Sequence, residues 1–106
     1  MMNCKKEFLE HIEKKGKIVT AKINYGGSYD GGTVFFLPEK YTKAQYEEFL
    51  SKLNFDYDSG YGGQEIYGMI LFKDSFSERG EYDGSEWWEN HKMPTVSAVK
   101  RYSRGY

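Results

Sequence analysis

Glu78, Glu81, Asp83, Glu86 and Glu89 stand close together in the chain. Paired carboxylates on either side of a substrate are what glycoside hydrolysis and related acid–base chemistry require. A charged sheet face uses the same residues and is the stronger reading, because no spacing singles out one pair. Asp56-Tyr57-Asp58-Ser59-Gly60 opens like a calcium loop. Such a loop needs several hard oxygens and a closing bidentate Glu. Counted from Asp56, the fifth position is Gly60 and the twelfth is Tyr67, so the ligand set fails. A turn at Asp58 and Ser59 completed by Gly60 is expected instead, with no metal. Gly26-Gly27 and Gly60–Gly63 lack the Lys-Ser/Thr of a phosphate loop and do not open a helix at dinucleotide spacing, so they read as turns. His11 and His91 are the only histidines, and both are expected in solvent. Cys4 is the only cysteine, with no Cys/His or Ser/His/Asp arrangement around it. It makes no internal disulfide and gives no sign of an oxidising compartment. No catalytic residue and no cofactor are assigned.

The most distinctive stretch is Arg79-Gly80-Glu81-Tyr82-Asp83-Gly84-Ser85-Glu86-Trp87-Trp88-Glu89. In a strand, neighbouring side chains point to opposite faces. One of Trp87 and Trp88 would then be core and the other an exposed anchor, or the two rings would cap both sides of a thin sheet. Arg79 and Glu81 share a face and can pair. Residues 54–91 carry nine acidic and two basic side chains, a net −7, while residues 92–106 carry +4 and residues 1–53 carry +2. Generic phosphate-backbone binding is therefore disfavoured for the body of the chain, and no duplex nucleic-acid binding is expected. Aromatic residues make up 18% of the sequence, more than one small core needs, which points to exposed rings at a contact surface.

These residues must be positioned by few elements. A chain of 106 residues suits a single domain spanning 1–106, with 97–106 a basic tail. Phe8, Leu9 and Ile12 form a short apolar stripe in a helix over 4–15, with Asn3 as its cap and Gly16 as its end. Val19, Ala21, Ile23 and Tyr25 alternate with polar residues in a strand over 17–25. A glycine loop over 26–32 leads to a strand over 33–37, which Pro38 stops. Thr42 and Gln45 make a capping box, Tyr41 and Tyr46 a hydrophobic staple, and Tyr46, Phe49, Leu50 and Leu53 one helix face. A short extended piece over 55–58, a central strand over 64–72, its hairpin partner over 76–82 and a third strand over 85–90 complete the order. The expectation is α+β: one antiparallel sheet of four to five strands with two helices on one face, in the order α-β-β-α-β-β-β. The start of the chain lacks the apolar core of a signal peptide, and no apolar run is long enough for a bilayer. The expected location is the cytoplasm, with no membrane partner.

The segment Phe55-Asp56-Tyr57-Asp58-Ser59-Gly60-Tyr61-Gly62-Gly63-Gln64, followed by residues 79–89, resembles a segment of small uncharacterised proteins of bacteriophages and other mobile elements. The likeness spans residues 55–89, about a third of the chain. It implies a phage or prophage setting, hence a host-cell cytoplasm, in which small proteins often bind and inhibit host defences. It carries over no catalytic or ligand residue. The expected function is thus a non-enzymatic inhibitor that binds a host protein with a basic surface. Its partner-binding residues would be Tyr57, Asp58, Tyr61, Arg79, Glu81, Tyr82, Asp83, Glu86, Trp87 and Trp88. One alternative is a protein that sequesters a nucleotide, stacking a base on Trp87, Trp88, Tyr57 and Tyr61. A weaker one is a small carboxylate-dependent hydrolase. A homodimer is also expected, since surplus aromatics and sheet edges both favour pairing.

Overall fold

Alternation in the strands and the stripe on each helix divide the chain into a sheet with one covered face. The computed structural model describes residues 1–26, 32–58 and 63–93. The tail, Tyr61 and most of both glycine loops lie outside the described residues. The elements are β1 (Met2–Asn3), α1 (Cys4–Ile12), β2 (Ile18–Tyr25), β3 (Thr33–Leu37), α2 (Lys43–Lys52), β4 (Asp56–Tyr57), β5 (Ile66–Phe72), β6 (Ser75–Tyr82) and β7 (Ser85–Lys92). The main sheet is antiparallel throughout, in the order β3-β2-β5-β6-β7, so β5 is central as its apolar run requires. The fold class is α+β, as the sequence implies. Among the described residues no helix is long and apolar enough to cross a membrane.

One small pairing was not anticipated. Met2 and Asn3 pair with Tyr57 and Asp56 in a separate two-stranded ladder. Asn3 also caps α1, accepting from Lys6 N at 2.9 Å. The same short piece of chain therefore fixes the entry of α1 and ties it to β4. The helix stops at Ile12 rather than at residue 15. Glu13, Lys14 and Lys15 are exposed and offer nothing to bury, so the last turn loosens before Gly16 turns the chain at φ 89°.

The second helix forms as its sequence dictates. Thr42 and Gln45 make both hydrogen bonds of the capping box, at 3.1 and 2.7 Å. The Tyr41 and Tyr46 rings stack with centroids 5.6 Å apart. Phe49 and Leu53 are buried, and Tyr46 and Leu50 pack against the core. Phe49 meets Phe8 of α1 edge-on at 5.6 Å, so both helices lie over the same face. Ala21, Ile23, Leu37, Ile66, Ile70 and Phe72 fill the space beneath them. Gly68 leaves room at the centre. A Cβ there would lie 2.5 Å from the carbonyl oxygen of Lys22 and 3.3 Å from the Trp88 ring. The residue lets β2 approach and Trp88 lie across the sheet.

Candidate functional site

The β6–β7 ribbon sorts its chemistry by strand alternation. Ser77, Arg79, Glu86 and Trp88 point toward the helices, and Phe76, Glu78, Trp87, Glu89 and His91 point away from them. The Asp83-Gly84 turn has φ of 51° and 85° between paired Tyr82 and Ser85, a type I′ geometry that suits the twist of the ribbon. Glu81 Oε1 accepts from Gly84 N at 3.1 Å and holds that turn.

The inner side is a compensated polar cluster beneath α1. The Arg79 side chain is only 1% exposed. One nitrogen meets Glu86 Oε1 at 2.6 Å and donates to the Tyr57 hydroxyl at 3.0 Å. Another lies 3.0 Å from Glu7 Oε2, close enough for an ion pair but off the line of a hydrogen bond. Tyr57 in turn donates to Glu7 Oε1. Burial works against the charge on Arg79, but Glu7, Glu86 and Tyr57 outweigh it and hold its pKa above the ordinary value. Burial, reinforced by the bond to Glu7, pushes the Tyr57 hydroxyl up as well. Glu86 also accepts from the backbone N–H groups of Glu65 and Ile66, at 2.8 and 2.9 Å. It thus anchors the start of β5 to the ribbon. Buried charges persist when paired and hydrogen-bonded in this way.

Three neighbours extend the cluster. Cys4 is buried, and burial followed by Glu7 pushes its thiol up to about 12, so it serves as a small core residue. His11 is half-buried rather than solvated. Its Nε2 lies 2.7 Å from Ser77 Oγ, and its ring stacks on Trp88 with centroids 6.1 Å apart. Burial lowers its pKa, and Lys15 and Arg79 lower it further, so the neutral ring is favoured. Arg79 also lies 5.1 Å from the Trp88 ring centroid, in cation–π range.

The outer side is open and carries apolar and acidic groups together. Phe36 is 60% exposed on the edge strand β3, Val34, Tyr67 and Met69 are exposed on the same face, and Trp87 is exposed on the opposite edge strand β7. One row across the strands reads Phe36, Lys22, Met69, Glu78, Glu89. Glu78 and Glu89 face each other directly, and like charges so placed oppose pairing. Trp87 lies over Gly80, where an added Cβ would come within 2.8 Å of the indole nitrogen and 2.9 Å of the Glu89 carboxylate. His91 Nε2 approaches Glu78 at 3.4 Å.

The expected partner-binding residues therefore do not share one surface. Tyr57, Arg79, Glu86 and Trp88 are buried under α1 and do not belong to an exposed face. The alternation that separates Trp87 from Trp88 also turns Glu86 inward. The shared face of Arg79 and Glu81 is the inner one, and Arg79 pairs with Glu86 and Glu7 while Glu81 holds the turn. Tyr82 and Trp87 are exposed on the outer side, and Glu81 and Asp83 are exposed at the turn. Asp58 is exposed, and its N–H donates to the Glu65 carboxylate. Tyr61 lies outside the described residues. Sequence reasoning missed Glu7, although it stands within the i, i+3, i+4 set of Cys4, Phe8 and His11, a position that a charge occupies only with a partner. It also missed Val34 and Phe36. The uninterrupted apolar run of β3 signals two apolar faces, one of which the helices leave open. Among the described residues no group of His, Cys, Asp and Glu converges as a metal site.

No protein-family model, no curated protein and no solved structure matches the chain.

Proposed function

We propose that the protein is a non-enzymatic binding protein of phage type. In a host cytoplasm it captures and inhibits a host protein, one of defence in particular, that presents a basic surface. The working surface is the outer side of the β6–β7 ribbon together with its turn: Trp87, Tyr82, Glu78, Glu89, Glu81 and Asp83. The observation that carries this reading is Trp87, 40% exposed on an open sheet face beside the facing carboxylates Glu78 and Glu89. Exposed aromatic anchors supply much of the energy of association. Facing carboxylates steer a cationic partner, and a Lys or Arg from that partner relieves their mutual repulsion. The resemblance to phage and mobile-element segments supports the setting. Burial of Trp88 and Tyr57 takes two of the four rings away from any base-stacking surface, which weighs against nucleotide sequestration on this ribbon.

The test is capture from host lysate by immobilised protein, with bound chains identified by mass spectrometry. Trp87→Ala should keep the melting temperature, the pair Glu78→Gln with Glu89→Gln should keep or slightly raise it, and each should lose capture of one basic protein. Retention by both variants at parental strength rejects this surface. Light scattering at micromolar concentration tests the accompanying expectation of a homodimer, and a clean monomer mass rejects it.

A further inference from the structure

At the end of the sheet opposite the Asp83-Gly84 turn, a hollow of about 400 Å³ opens between the start of β2, the connection from β3 to α2 and the β5–β6 turn. That volume lies in the ordinary range for small-molecule sites, about 300–1,000 Å³. Each of the three segments contributes a lysine: Lys17, Lys40 and Lys73. Glu39 stands at the same rim, leaving a net charge of +2 over the four. None of the three lysines forms an ion pair among the described residues. Bringing like charges together from three distant points of the chain opposes folding, and such a rim concentrates positive potential over the hollow.

The wall is rigid. The Tyr41 hydroxyl donates to the carbonyl of Ile18 at 2.9 Å, and its ring is backed by Tyr46. Lys17 Nζ lies 5.8 Å from the Tyr41 ring centroid, so one ammonium already leans over the ring. Lys40 has φ 58°, a left-handed conformation that Gly or Asn adopts with less strain. A strained backbone at the lining of a hollow is the kind of feature that function retains.

We propose that this hollow binds a small phosphate monoester. Its ring or sugar body rests on the Tyr41 wall, and Lys17, Lys40 and Lys73 hold the phosphate. The site lies away from the outer ribbon and does not depend on what that surface captures. A nucleoside monophosphate and a sugar phosphate share this chemistry, and the probes separate them.

Isothermal titration with AMP, ribose 5-phosphate and inorganic phosphate at one ionic strength is the experiment. At least one ester should bind saturably, about tenfold more tightly than inorganic phosphate, and more weakly as sodium chloride rises. AMP binding more tightly than ribose 5-phosphate identifies a nucleotide ligand, and equal binding identifies a sugar phosphate. Lys17→Glu and Lys73→Glu should each weaken the ester about tenfold or more, with the melting temperature of the free protein unchanged or raised, because each reversal relieves repulsion at the rim. Lys6→Glu, on α1, should leave affinity as it is. Lys40→Gly relaxes the backbone, so it should keep or raise the melting temperature while still losing affinity. No saturable binding, inorganic phosphate as tight as both esters, or affinity indifferent to both reversals overturns the site.

Discussion

The two faces of the β6–β7 ribbon are built from the same kinds of residue and solve opposite problems. On the inner face, Arg79 stands between Glu7 and Glu86, Trp88 packs under α1, and carboxylate, guanidinium and phenol satisfy one another. On the outer face, Glu78 and Glu89 oppose each other with no guanidinium between them among the described residues, and Trp87 lies on the open surface. The difference shows that acidic, aromatic composition does not define a surface. One side of the ribbon is a closed electrostatic unit that organises the fold, and the other leaves two like charges facing each other at the surface. Variants that separate these roles can break or sharpen the contrast.

The largest effect should come from Arg79→Met. It leaves Glu7 and Glu86 buried without their cation, and removing one member of a buried ion pair costs about 3–5 kcal/mol. Urea unfolding should show that loss at neutral pH, with recovery when Glu7→Gln and Glu86→Gln are added. A loss below about 1 kcal/mol would mean that the inner cluster is not electrostatically closed.

The glycines give a smaller, paired comparison. Gly68→Ala places a methyl group 2.5 Å from a backbone oxygen of β2, which must shift, at a cost of about 1–3 kcal/mol. Gly80→Ala meets only the exposed side chains of Trp87 and Glu89, which can swing away, so its cost should be clearly less. Chemical denaturation of the two variants reads this directly. Equal costs would place the Trp87 ring in a packed rather than an open environment.

The elements were largely legible in the sequence because most carried a local device. Thr42 with Gln45 marks the start of α2, Asn3 caps the start of α1, and the alternation of β2 and the apolar run of β5 set the sheet. The site was legible only in part. Trp87 and Trp88 were separable in principle, but which one faces the helices depends on register across the sheet, and that is fixed by distant pairs such as Ile70 with Ser77 and Ser77 with Asn90. Glu7 and His11 are far in sequence from Arg79 and Ser77, so no spacing could reveal that they meet. The lysines at 17, 40 and 73 were dispersed for the same reason.

His11 offers a test of the inner face by pH. Its folded pKa lies below the ordinary 6.5, first from burial and then from Lys15 and Arg79. Between the folded and unfolded values the unfolded chain binds the extra proton, so stability rises with pH across that window. His11 therefore costs nothing above about pH 6.5, and stability is lost as pH falls through 6.5 toward the lower folded value. His11→Gln should reduce that slope relative to the parent in urea midpoints measured from pH 5 to 7.5. Identical slopes would detach His11 from the buried cluster.

The smallest expected effect probes the outer face and carries the opposite sign. Glu89→Gln removes one of two carboxylates that face each other across β6 and β7, both in contact with water. Cross-strand pairs change stability by about 0.2–1 kcal/mol, and exposed charges fall at the low end because solvent screens them. The variant should be more stable than the parent by a few tenths of a kcal/mol at low salt. The gain should shrink as sodium chloride rises, because screening already weakens the repulsion that the substitution removes. Such a variant would gain stability and lose attraction for a basic partner, the trade that a surface kept for binding predicts. A loss of stability that salt does not alter would instead give Glu89 a packing role against Trp87 and Gly80, and the two faces of the ribbon would then differ less than their charges suggest.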